Sequence, residues 1–246
     1  MWCTRSRRTW YTSLMDSSRA LLLLAVVSLT PTHMPAQSVS EKDGSIFFAD
    51  ASGRVTQLTT SGLDFAPSLS PDGKLVVFVR HTPGQTVTVG WGETEARELW
   101  VIGVDAMNAR LLARGAKKVP WTDTLAQLDR PQFLSDSRRV VFGSALAVVH
   151  GTVNLVDIDT GQIRRIGGGN FSEVVREGRY RDNLIVIQHR YFLQGGSYDW
   201  YWVVDLDGKE VGPIGPDEKQ VEWFKQVHRS DSQEPTDPRG HASRTP

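Results

Sequence analysis

The sequence predicts an all-β fold, a β-propeller of four-stranded antiparallel blades, with about three and a half to four blades, so that the ring need not be complete. Two repeated elements predict it. The first is residues 67–78 (PSLSPDGKLVVF), which recur at 131–142 (PQFLSDSRRVVF) with the same length and the same layout of Pro, Ser, Asp, basic residue and Val-Val-Phe. The second is a fourteen-residue element at 45–58 (SIFFADASGRVTQL), 99–112 (LWVIGVDAMNARLL), 153–166 (VNLVDIDTGQIRRI) and 201–214 (YWVVDLDGKEVGPI), with starts offset by 54, 54 and 48 residues. Self-similarity at that period is the signature of a blade-by-blade repeat.

Each element has a local reason. In Pro71-Asp72-Gly73 the proline presets φ, the aspartate bonds back to the backbone and the glycine accepts positive φ, so the segment is a tight turn. The branched and aromatic run that follows it is a buried strand by composition. The fourteen-residue elements open on an apolar run, pass a polar turn and close on an aliphatic residue; Gly53, Gly161 and Gly208 mark the turns. The Pro stretch supplies strands A and B, and the fourteen-residue element supplies strands C and D. One unit covers about 63–113 and a second about 128–166. In a third, 171–175 and 183–188 stand in for A and B without the proline, and 45–58 is a C–D pair with no A–B pair before it.

These residues resemble the WD40-like β-propeller repeats of the TolB family of periplasmic proteins, which also build the propellers of dipeptidyl-peptidase-IV-type enzymes. Residues 67–78 carry the resemblance almost position by position. Leu99-Trp100-Val101, Ala109-Arg110-Leu111-Leu112 and Val55-Thr56-Gln57-Leu58-Thr59 continue it, and 131–142 departs from it with Ser137 where glycine is usual. The resemblance covers about residues 45–215. It implies a propeller and a role in docking envelope proteins. It does not by itself imply an activity, because such blades host many. Family propellers usually have six or more blades, so unpaired blade edges here would leave room for self-association.

The domain reading is a signal peptide over 1–38, the repeat domain over 39–216, and a short helix followed by a disordered tail over 217–246. Arg5, Arg7, Arg8 and Arg19 precede the apolar run 20–29, and small residues follow at 36–38, the pattern of a secretory signal. The run is too short for a stable bilayer span, so no membrane span is expected after cleavage. An uncleaved anchor, a twin-arginine route through Arg7-Arg8 and a start at Met15 are the alternatives. Residues 217–228 place Val221, Trp223, Phe224 and Val227 without strand alternation, which fits a short amphipathic turn of helix. The mature protein is expected in the periplasm or outside the cell.

Composition narrows the chemistry. With 28 basic and 28 acidic side chains there is no excess charge to draw a nucleic acid. Cys3 is the only cysteine, which rules out thiolate metal sites and a cysteine nucleophile in the mature chain. No histidine pair has metal-ligand spacing, and the Asp-x-Asp turns at Asp157-Asp159 and Asp205-Asp207 lack the further ligands of a calcium loop and read as hairpins. No cofactor is expected, and no Gly-x-Ser-x-Gly marks a hydrolase. An enzyme acting on a sugar or lactone, or a truncated propeller without independent function, are the alternative readings.

The candidate site follows from topology. B–C and D–A connections leave a blade on one rim, and 81–97, 189–199 and 114–129 are the long ones. They carry Trp91, Trp121, Tyr191, Phe192 and Tyr198, with His81 and His189 at the ends of B strands. Exposed rings on one rim are the raw material of a protein-binding hot spot, so an envelope protein or peptide is the expected partner. Packing between loops is the plainer alternative.

Overall fold

The computed structural model describes residues 36–117, 124–146 and 150–231. The expected signal segment up to residue 35, the tail from residue 232 and Trp121 lie outside these. Seventeen strands and one helix are present among them. The first sheet is β1 (Ser38–Lys42), β2 (Ser45–Ala49) and β3 (Val55–Gln57). The second is β4 (Asp64–Leu69), β5 (Leu75–Arg80), β8 (Glu98–Gly103) and β9 (Arg110–Arg114), with the hairpin β6 (Thr86–Val89) and β7 (Gly92–Glu95) inserted between β5 and β8. The third is β10 (Asp129–Phe133), β11 (Arg139–Ala145), β12 (Gly151–Asp157) and β13 (Ile163–Gly168). The fourth is β14 (Asn170–Val174), β15 (Leu184–Tyr191), β16 (Ser197–Val204) and β17 (Glu210–Gly215). All pairings are antiparallel and, apart from β5 with β8 across the inserted hairpin, join neighbours in sequence order, the meander of a propeller blade.

The middle strands explain why the blades stack. They are apolar on both faces, and alternate residues point to opposite neighbours. From β5, Val76 and Phe78 pack with Ile46, Phe48 and Leu58 of the first blade, while Val77 and Val79 pack with Phe133, Val140 and Phe142 of the third. From β11, Val141 turns the other way, to Phe171, Leu184 and Val186 of the fourth. Polar bonds tie the A–B turns together: the Asp72 backbone N–H donates to the Ser137 hydroxyl at 3.0 Å, and the Ser135 N–H to Asp182 at 2.8 Å.

Two expectations change at the chain's first and last blades. The pair at 45–58 has a third strand, β1, whose Val39 lies opposite Phe48, so the first sheet is one strand short rather than two. Its free face mixes Ser38, Ser40, Lys42 and Gln57 with Phe47, Ala49 and the exposed Val55. At the other end, the face of the fourth sheet that a further blade would cover carries the helix α1 (Glu218–His228). Its three turns are longer than the single turn expected. Asp217 caps it by accepting the Gln220 N–H at 3.1 Å, Glu218 lies in the first turn, and Lys225 and His228 lie in the last, all favourable to the helix dipole. Val221 and Phe224 are buried; Val221 packs on Val175, Ile185, Tyr201 and Ile214, and Phe224 on Tyr180. Lys225 to Glu173 at 2.9 Å and Arg229 to Glu177 at 2.8 Å pin its flanks. Of the two faces expected to lack neighbours, the fourth sheet's is therefore covered by a helix and the first sheet's is mixed polar and apolar.

Candidate functional site

Two of the three connections expected as long rim loops, 81–97 and 189–199, are β-hairpins. Residues 81–97 form β6 and β7, which lean over the third blade: the Gly90 N–H donates to the Leu146 carbonyl at 3.4 Å, the Gln127 N–H to the Glu95 carbonyl at 3.2 Å, and Val87 and Ala96 pack on Ala126. Residues 189–199 continue β15 and β16 to a tight turn in which the Phe192 N–H donates to the Gly196 carbonyl at 3.0 Å. Alternating polar and aromatic residues along 188–200 extend the ladder, because cross-strand pairs at that spacing stabilise it.

These hairpins bring rings from three blades to one rim. Trp91 stands at the tip of the β6–β7 hairpin and is 41% exposed. It lines a cleft together with His150, at the start of the third blade's C strand. The His150 ring lies 5.6 Å from His189 and 6.5 Å from Tyr191, and His189 lies 5.0 Å from Tyr191. Phe192 packs on Tyr198 at 4.7 Å, and Tyr198 on Trp200 at 6.2 Å. Tyr191 and Phe192 remain 66% and 57% exposed. His189 is tied down, its Nδ1 2.8 Å from an Asp199 carboxylate oxygen. His81 lies apart from this band, at the foot of the β6–β7 hairpin. Its ring stacks on Phe65 at 4.3 Å, and its Nδ1 is 2.9 Å from Glu95. Burial pushes the Glu95 carboxyl up, but hydrogen bonds from His81, the Thr82 backbone and Arg97 outweigh it and hold the group below its ordinary range. His81 thus braces the hairpin, with 42% of its side chain open to solvent.

The cleft beneath Trp91 has a volume of about 410 Å³. Its floor is made by the inner ends of the third and fourth blades, with Asp129, Arg130, Asn170 and Gly143. In the second blade the corresponding cross-strand pair is Phe65 opposite Val79; in the third it is Asp129 opposite Gly143. A side chain at Gly143 would place Cβ 2.1 Å from Asp129 Oδ1, so the glycine admits the carboxylate. A bulge follows in both strands, with Ala66 and Arg130 at positive φ beside Pro67 and Pro131. Bulges at sheet edges re-aim side chains and tolerate proline. The bulge places the Arg130 Nη1 3.1 Å from the Phe171 carbonyl and its Nε 3.9 Å from Asp129. Arg97, stacked over Phe65 at 5.3 Å and bonded to Glu95 at 3.2 Å, forms the facing wall. Burial pushes the Asp129 carboxyl above its ordinary range, against the opposing charges of Arg130 and Arg97. Asp129, Arg97, Arg130 and His150 were not singled out from the sequence; the glycine inside the apolar run of β11 was the available signal.

Among the described residues no group of three or more His, Cys, Asp or Glu side chains could hold a metal ion. No helix there is long and apolar enough to cross a membrane.

No protein-family profile matches the chain, and no curated protein matches it. Solved structures do. A dipeptidyl peptidase 4 from Porphyromonas gingivalis is 13% identical, with 74% of this chain and 31% of that one covered at a TM-score of 0.49. The β-propeller domain of the Trilobed protease from Pyrococcus furiosus is 16% identical, over 68% and 47% at 0.46. TolB from Acinetobacter baumannii is 12% identical, over 73% and 52% at 0.42. The chain thus spans about a third to a half of the length of these propeller-bearing structures.

Proposed function

We propose that the protein is an exported β-propeller binding module that docks a protein or peptide of the cell envelope, in the manner implied by its TolB-type repeats, and that it does so through the aromatic rim. The observation that carries the reading is the group of rings Trp91, His150, His189, Tyr191 and Phe192, contributed by three blades to one rim, of which Trp91, Tyr191 and Phe192 are open to solvent. Large rings held on paired strands offer contact area at low entropic cost, the composition of binding hot spots. The Arg-rich start and the apolar run 20–29 support export.

The test is a photo-crosslinking amino acid at position 192, compared with one at position 207 in a turn on the opposite rim, in cells that carry the protein. Crosslinks to one discrete envelope protein from 192 and none from 207 are expected, and a Tyr191→Ala, Trp91→Ala double variant should lose them. Equal crosslinking from both rims, or none from 192, overturns the reading.

A further inference from the structure

The cleft under Trp91 shares Trp91 and His150 with the exposed band, but the chemistry of its floor and wall points elsewhere. Its charged side chains are each paired: Arg97 with Glu95 at 3.2 Å, a residue outside the lining, and Arg130 with Asp129 at 3.9 Å. Acceptor-only carboxylate oxygens and donor-only guanidinium groups stand side by side on the floor and wall. That alternation suits a neutral ligand whose neighbouring groups each donate and accept, and adjacent hydroxyls do both. Over it Trp91 presents an indole, flat and apolar on its faces and half open to solvent. The volume of about 410 Å³ falls in the range of small-ligand sites.

Asp129 adds an independent argument. Its ion pair with Arg130 is too long to be a hydrogen bond, and recessing a carboxylate without donors costs stability. The second blade avoids that cost at the same position with Phe65 and Val79. A ligand that donates to the carboxylate would offset it.

We infer that this cleft is a binding site for a neutral saccharide, with its hydroxyls bonded by Asp129, Arg130 and Arg97 and one face of its ring stacked on Trp91. This inference does not rest on the protein-docking reading, and Phe192 separates the two.

The test exposes the full chain to an array of neutral mono- to hexasaccharides, with uronate-containing oligosaccharides and a random peptide library alongside, followed by calorimetry on the best neutral ligand. Saturable binding of at least one neutral saccharide is expected. Asp129→Asn and Trp91→Ala should each weaken it by about tenfold or more, while Phe192→Ala leaves it unchanged. Asp129→Asn keeps the side-chain shape and decides the matter if Trp91→Ala proves unstable. Binding of no neutral saccharide, preference for uronates or peptides, or an affinity indifferent to Asp129→Asn overturns the inference.

Discussion

Gly208 lies against the carbonyl of Ile166 so closely that a Cβ on it would sit 2.2 Å from that oxygen, across the boundary between the third and fourth blades. The equivalent turn residue, Gly161, has nothing within 4 Å of the same position. Both have the positive φ expected of their hairpins, 69° at Gly161 and 83° at Gly208. Backbone conformation alone therefore penalises a side chain at Gly161, and conformation plus a clash with main chain penalises one at Gly208. We expect Gly161→Ala to cost about 1 kcal/mol and Gly208→Ala about 3 kcal/mol in urea unfolding. Equal losses at the two sites would mean the blades do not abut at Ile166.

Asp64 gives a second expectation. It is fully buried, and Arg80 holds it with two hydrogen bonds, Nε to Oδ1 at 2.6 Å and Nη2 to Oδ2 at 3.0 Å. The guanidinium in turn lies 4.7 Å from the Trp100 ring. Removing the anion leaves a largely enclosed cation without its partner. Asp64→Ala should destabilise by about 3 kcal/mol, and a paired Asp64→Leu, Arg80→Met exchange should recover most of that. The readout is a double-mutant cycle by denaturant titration; additive single losses would show that the pair is not coupled.

The helix α1 is the third. Removing residues 217–231 and beyond would bare Val175, Ile185, Tyr201 and Ile214, a face shaped to meet another blade. We expect the intact chain to sediment as a monomer and the truncated chain to associate, at a concentration where Val221→Asp, Phe224→Asp does the same. Analytical ultracentrifugation reads the outcome. A truncated chain that stays monomeric would show that α1 does not act as the cap.

The blades were legible because their signals are local and repeated. Pro71-Asp72-Gly73 fixes a turn, and the Val-Val-Phe runs 76–78 and 140–142 announce strands buried on both faces. The prolines at 67 and 131 were legible as markers, though not their cause, a bulge whose extra residues have positive φ at Ala66 and Arg130. The hairpin at 86–95 and the outer part of the one at 184–204, residues 189–199, were hidden because these strand segments are largely exposed and bury few apolar side chains. β1 was missed because SVSEK has one apolar residue, and its place is set by pairing with β2 rather than by its own pattern. The cleft was hidden for a different reason. Asp129 and Gly143 are fourteen positions apart, and only the register of β10 against β11 brings a carboxylate over a missing side chain.

Asp129 carries the last expectation, and its sign is opposite to that of a paired carboxylate. Burial raises its folded-state pKa, opposed by Arg130 and Arg97. Well below the ordinary carboxylate range both folded and unfolded chains hold the proton, and the residue contributes nothing to pH dependence. As pH rises through that range the unfolded chain releases its proton first, so stability falls, and the penalty is complete once pH passes the raised folded value. At about pH 7 the charged Asp129 therefore destabilises the fold, modestly, because 43% of its side chain still meets solvent. Asp129→Asn should raise the melting temperature at about pH 7 and leave it unchanged at about pH 3. Glu95, Arg97, Arg130 and His150 surround the site in both proteins, so their titration cancels to first order in the difference. A variant that is less stable than the parent at neutral pH, or a gap that persists in acid, would mean that the carboxylate is satisfied where it stands and that the cleft stores no cost for a ligand to relieve.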